Sequence, residues 1–86
     1  MNDIEIDEPL DLIRNSLGKQ VLIKCRNDRE IKGKLHAYDS HMNLLISDVE
    51  EYITIIEDNK KKVENKSFGL LFLRGDLVIV LIPQNK

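Results

Sequence analysis

One cysteine, Cys25, is all the thiol this chain has. An internal disulfide is therefore impossible, and a Cys-rich zinc site cannot be built. No apolar stretch approaches the ~20 residues that cross a bilayer as a helix, so no membrane partner is expected. The acidic opening, Met1-Asn2-Asp3-Ile4-Glu5-Ile6-Asp7-Glu8, lacks the basic start of a signal peptide. With the lone thiol, this gives the expectation of an intracellular, reducing compartment. A Gly-rich phosphate loop is also missing. So is any basic excess: 13 Lys and Arg stand against 15 Asp and Glu, a formal charge of −2. A protein that grips nucleic acid mainly through many phosphates needs a basic surface. Any nucleic acid here would be held by a few local residues, on bases as well as phosphates.

What is present fits one small domain: 86 residues, 42% hydrophobic and 33% charged. A domain of this size buries only roughly 60% of the surface its unfolded chain exposes. Such domains gain stability from disulfides, metals or partner subunits. With the first two excluded, partner subunits are the expected source.

Residues 1–7 are expected to form a flexible acidic arm, 8–83 the domain and 84–86 a tail. Pro9 suits the first turn of a helix. Acidic Glu8 and Asp11 near its start and Arg14 near its end complement the helix dipole. Leu10, Ile13 and Leu17 recur at helical spacing, Leu12 widens the stripe, and Gly18 is a stop. A helix of about two turns is unstable alone and must lie on something apolar.

The remainder reads as strands. From Gln20 to Arg26, Val21, Ile23 and Cys25 share one face. Asn27-Asp28 supplies a turn. From Glu30 to Asp39, Ile31, Gly33, Leu35 and Ala37 share a face, and Gly33 on it signals a bend or a close backbone approach. A third strand starts near Met42 and extends through Ile56. The polar segment from Asp58 to Lys66 reads as a solvated loop. Strands from Phe68 to Leu73 and from Leu77 to Ile82 close the chain, and Pro83 ends the last. One short helix followed by five strands and tight turns predicts a mostly β protein, a strongly bent five-stranded antiparallel open barrel capped by the helix.

Leu77-Val78-Ile79-Val80-Leu81-Ile82 is apolar at every position. A strand with one wet face should alternate, so this one is expected to be covered on both faces. An exposed apolar edge is an aggregation hazard. Pairing with another subunit resolves it, and a repeated head-to-tail contact closes into a ring. A central place in the chain's own sheet is the alternative.

Two turns carry residue types suited to chemistry. Asp39-Ser40-His41-Met42-Asn43 places an imidazole able to stack on a base beside an amide able to pair with a base edge. Asp, Ser and Asn are also ordinary turn formers. In Arg74-Gly75-Asp76 the guanidinium can stack on a base or meet phosphate, Gly75 permits close backbone approach, and Asp76 can hold Arg74. A plain hairpin turn with a surface ion pair is the alternative there. No metal or cofactor is expected, and no enzyme: His36 and His41 lack a nucleophile or metal partner. Cys25 belongs to the core face. Glu50 and Glu51 point to opposite sides of a strand and cannot act as a pair. Lys60-Lys61-Lys62 is expected to be a solvated run.

At these turns the sequence resembles the Sm and Sm-like (LSm) family. The first family motif is matched from Val21 to Glu51, by Arg26-Asn27-Asp28-Arg29-Glu30, Gly33, Leu35, Ala37-Tyr38-Asp39, His41-Met42-Asn43 and Asp48-Val49-Glu50-Glu51. The second is matched by Phe72-Leu73-Arg74-Gly75-Asp76 and the apolar strand after it. Within the family, Glu8 to Arg14, Arg26 to Glu30 and His36 to Asp39 look like the third LSm subunit type. The lysine-rich segment from Lys60 to Lys66 departs from it.

The resemblance implies the Sm fold and a heteroheptameric ring with other LSm subunits, a homo-oligomeric ring being open to the isolated chain. It implies a subunit interface through Phe72, Leu73, Leu77, Val78, Ile79, Val80 and Leu81. It implies an RNA pocket in which His41 and Arg74 sandwich a base, often uracil. Asn43 would bond the base edge, Gly75 would offer backbone, and Asp39 and Asp76 would brace. The implied ligand is U-rich single-stranded RNA, such as the 3′ end of U6 snRNA in splicing or deadenylated mRNA in decapping and decay. The implied places are nucleus and cytoplasm. A structural ring subunit that does not itself touch RNA is the alternative.

Overall fold

The computed structural model describes residues 9–84. The expected acidic arm, residues 1–7, lies outside them, as do residues 85–86. In order come a helix α1 (Pro9–Asn15), strands β1 (Gln20–Cys25), β2 (Arg29–Tyr38), β3 (Leu44–Glu57) and β4 (Lys60–Leu73), a single 3-10 turn (Gly75–Leu77) and strand β5 (Val78–Pro83). All neighbouring strands are antiparallel, and the sheet order is β4-β3-β2-β1-β5. Thus β4 and β5 are both free edges, and β5 is not central in its own sheet.

The helix is as short as its stripe suggested. Ile13 is buried and Leu10 packs against the core, but Leu17 lies past the helix end and is exposed. Gly18 adopts a left-handed φ of 78° and its N–H donates to Leu35 O at 2.8 Å, a conformation that suits glycine. Asp11 and Arg14, three apart, form an exposed ion pair at 2.6 Å.

Val21, Ile23, Cys25, Ile31, Leu35, Leu44, Ile46, Val49 and Leu73 form the core. Two devices bend the sheet round it. At Gly33 an added Cβ would stand 2.5 Å from Ile46 Cγ2 and 2.8 Å from the Ser47 carbonyl oxygen, so β3 crosses where β2 has no side chain. Opposite, Asp48 takes a left-handed φ of 51° and interrupts the β2–β3 register between Lys32 and Lys34. A bulge of this kind increases local twist. A second shift, between Leu35 and Ala37, ends the inward alternation, so Ala37 is exposed rather than on the core face.

The segment from Asp58 to Lys66 is not a loop. Only Asp58 and Asn59 turn, both with positive φ (52° and 62°), and β4 is hydrogen-bonded to β3 from Lys60 onward. Two left-handed residues are what a tight type I′ hairpin needs, and Asn and Asp tolerate them. Between β1 and β2, whose ladder closes at Cys25 and Arg29, the connection is three residues long, and Asn27 and Asp28 in it also have positive φ, 66° and 57°.

Candidate nucleic-acid interface

Both turns singled out in the sequence lie at one end of the barrel, where β2 passes to β3 and β4 to β5. The Asp39 carboxylate organises the first. Its Oδ1 accepts from the backbone N–H of His41 at 2.8 Å and of Asn43 at 3.0 Å, and its Oδ2 accepts from Asn43 Nδ2 at 3.0 Å. Hydrogen bonds to the ionised form favour it. Those from the Asn43 side chain and backbone, ahead of that from His41, hold the Asp39 carboxyl below its ordinary pKa of 3.8.

The second turn is fastened to the first. Gly75 N–H donates to Asn43 Oδ1 at 2.8 Å. Gly75 sits so close that a Cβ there would overlap the His41 carbonyl oxygen and stand 2.7 Å from the Met42 carbonyl carbon. Arg74 donates to Asp76 Oδ2 at 2.8 Å, an exposed pair that orients the guanidinium more than it stabilises the fold. His41, Asn43, Phe72, Arg74 and Asp76 then line one open cleft of about 380 Å³. His41 and Arg74, from different turns, therefore line the same cleft.

Gly75 gives its N–H to Asn43 Oδ1, and its lack of a Cβ lets the two turns approach closely. Asn43 keeps one N–H and one oxygen lone pair after its two bonds. Phe72, which the resemblance implies at the subunit interface, is 63% exposed and also lines this cleft.

The other expected interface residues divide. Ile79 and Val80 are exposed on β5, and Leu77 and Val78 are half-buried. The side chains of Leu73 (3% exposed) and Leu81 (9%) pack into this chain's own core, so of these two residues only the backbone faces outward along the edge strands. Beyond that set, Leu70 and Phe68 on β4 and Ile82 on β5 are exposed.

The sequence reading missed the ion pair beneath the sheet. Arg29 Nε donates to Glu51 Oε2 at 2.7 Å, and the Arg29 Nη2 also reaches that oxygen. The Glu51 side chain is 5% exposed. The signal was available: Val49 and Glu51 are two apart on one strand, so a carboxylate faces inward and needs a cation. Glu50 faces away and accepts from Ser67 Oγ at 2.9 Å. Burial pushes the neighbouring Cys25 thiol up, which outweighs the pull of Arg29, so it is a core group. Among the described residues no three His, Cys, Asp or Glu are grouped to hold a metal ion.

Comparison with known proteins gives a consistent answer. A family model described as the LSM domain matches residues 11–83. The LSM complex subunit lsm3 of Schizosaccharomyces pombe is 45% identical over 84 residues, covering 91% of this chain and 90% of that protein. The probable U6 snRNA-associated Sm-like protein LSm3 of Dictyostelium discoideum is 46% identical, covering 91% and 87%. Among solved structures, the Pyrococcus abyssii Sm protein in complex with a uridine heptamer superposes with a TM-score of 0.71 at 35% identity, covering 91% of this chain and all of that one. A heptameric archaeal Sm protein gives 0.67 at 36% identity, covering 87% and 98%. With a helix-capped bent sheet, both motif turns fastened together and a family match over nearly its whole length, this chain belongs to the LSM-domain family, with LSM3 proteins of several eukaryotes about 45% identical to it.

Proposed function

We propose that this chain is a non-catalytic subunit of an LSm ring that binds U-rich single-stranded RNA. The observation that carries the reading is the Gly75–Asn43 hydrogen bond, which puts His41 and Arg74 on one cleft. A uracil stacks between them, and Asn43 reads its edge. Stacking of this kind contributes roughly 1–3 kcal/mol per base. One pocket is weak, and several around a ring act together through effective concentration. A net charge of −2 is compatible with that, because bases rather than phosphates carry recognition. The uridine heptamer held by a structurally similar archaeal protein supports the ligand class.

Ring assembly follows from the two free edges. Exposed Leu70 and Phe72 on β4 and Ile79 and Val80 on β5 are covered when β5 of one subunit pairs with β4 of the next. The partners are other LSm subunits, in a heteroheptamer. The U6 association in the name of one relative supports a role on the U6 snRNA 3′ end in nuclear splicing. Decapping and decay of mRNA in the cytoplasm is the second setting of the same ring type.

Replacing His41 and Arg74 together with Ala tests the reading. The assembled ring should keep its mass and lose roughly tenfold or more in oligouridylate affinity, the worth of one stacked base. A second reading, a ring member with an empty pocket, draws on the same bond: Asn43 and Gly75 partly satisfy each other. It requires the double replacement to be silent.

A further inference from the structure

The β3–β4 hairpin outgrows the rest of the sheet. The β2–β3 ladder ends where Arg29 faces Ile53. Past that point, from Thr54 opposite Val63 to Glu57 opposite Lys60, the ribbon has two strands only. Two strands are marginal in water, and a third stabilises them. The outer edge of β4 is open to receive one. β4 has 14 residues and β5 only 6. In the ring, a β5 of that length covers less than half of a β4, and Leu70 and Phe72 mark the half it covers. From Lys60 to Lys66 the outward N–H and C=O groups keep no strand beside them.

Proteins ordinarily guard such an edge by shortness, proline, a bulge or charge. β4 is long, contains no proline and pairs with β3 without a register shift. Charge alone is left: Lys60, Lys61, Lys62 and Lys66, against one acid, Glu64. Lys62 meets Glu57 at 3.9 Å, an exposed pair. The other three lysines have no ion-pair partner among the described residues. A guard of this kind works by sign. It repels a second copy of the same basic edge and attracts a strand of acidic side chains. Two apolar side chains beside it are out of keeping with simple protection. Val63 is 60% exposed and Ile56 69%. Val63 pairs with Thr54, and Ile56 lies two residues on, so both project from one face of the ribbon.

Resting on the ring reading above for which half of β4 is free, we infer that the Lys60–Lys66 edge takes an added strand from a partner protein, an extended segment that alternates acidic and apolar side chains. Its main chain bonds to β4. Its apolar side chains lie against Val63 and Ile56, and its carboxylates meet Lys60 and Lys62 on the other face. In strand addition the backbone supplies affinity and alternate side chains supply specificity. The edge is at the far end of β4 from Arg74, so strand and RNA do not compete.

The test uses the assembled ring with isotope label in this chain alone. The probe is a blocked heptapeptide alternating glutamate with isoleucine. It should shift the amide signals from Lys60 to Lys66 and slow hydrogen exchange at alternate residues there, with the ring intact. N-methylation of every second probe residue should abolish binding in one phase and spare it in the other. A heptapeptide with lysine in place of glutamate should not bind. Lys60→Glu with Lys62→Glu should weaken the glutamate peptide roughly tenfold, the worth of two reversed surface ion pairs, and admit the lysine peptide, with oligouridylate affinity unchanged. No shift from Lys60 to Lys66 at millimolar peptide would overturn the inference. So would an affinity indifferent to the charge reversal, or a peptide that opens the ring by taking the half of β4 meant for β5. Oligouridylate competing for the same signals would make the lysines a nucleic-acid contact and would also overturn it. A chain that never enters rings defeats the ring reading, and the same titration of the free chain then decides the edge.

Discussion

Gly75 lies against His41 so closely that a Cβ on the glycine would overlap the His41 carbonyl oxygen. The obstacle is backbone, which cannot swing aside as a side chain can. Gly75→Ala should therefore push the two turns apart and break the bond to Asn43 Oδ1. Overpacking of this kind costs about 1–3 kcal/mol. Urea unfolding of the variant should show that loss, and its ring should bind oligouridylate more weakly than the stability loss alone explains.

Gly33 presents the same conflict inside the barrel. Its missing Cβ leaves room for Ile46 Cγ2 and the Ser47 carbonyl oxygen. Gly33→Ala should destabilise by roughly 1–3 kcal/mol, seen as a lower urea midpoint with little change in slope. Since the bend sets how far β4 and β5 diverge, ring assembly should weaken in parallel.

Glu51 and Arg29 give a third expectation. Removing one partner of a buried pair leaves the other charge uncompensated, at about 3–5 kcal/mol. Arg29 is 28% exposed and can reach water, so Glu51→Ala should fall near the lower end. Glu51→Gln, which keeps the acceptor, should lose less. Equilibrium unfolding of both variants checks the order.

Asp39 gives a pH expectation. Its folded-state pKa is lowered, first by the Asn43 side chain. The stabilisation it lends to the turn is thus fully present above its unfolded value of 3.8 and lost as pH falls through the folded value. From pH 7 down to 5 the His41 and Asn43 backbone signals should hold still with respect to this group. They should move together only at pH below 3.8, as the Asp39 carboxyl signal titrates.

Much of this was legible in the chain, and the exceptions have physical causes. The helix, the Asn27-Asp28 turn, the Gly33 bend and the continuous apolar strand at the end all follow from local pattern. The segment from Asp58 to Lys66 reads as a loop in the sequence because both faces of this hairpin end are wet. A strand with nothing to bury shows no alternation and resembles a loop. That Leu73 and Leu81 turn their side chains into the core was not legible, because an edge strand's inward and outward residues look alike when all are apolar. The positions of His41 and Arg74 were legible through their turns. The Gly75–Asn43 bond, joining residues 32 apart, was not, because its closeness is a property of the folded backbone.

The free edges make a further prediction. Val78 N–H bonds within the chain to Gly75 O, so a proline there would disturb the turn as well as an interface. Ile79→Asp is cleaner, since Ile79 is 61% exposed. The variant should fold with near-parent stability and fail to enter rings, remaining at its monomer mass of 10.0 kDa when mixed with LSm partners.

The most direct measurement is a crystal structure of the assembled ring with an oligouridylate bound. One uracil should lie between the His41 imidazole and the Arg74 guanidinium, with its N3–H and O4 facing the Asn43 amide. A ring whose RNA threads past this subunit with that cleft empty, or filled by a neighbouring subunit's side chain, would contradict the proposal.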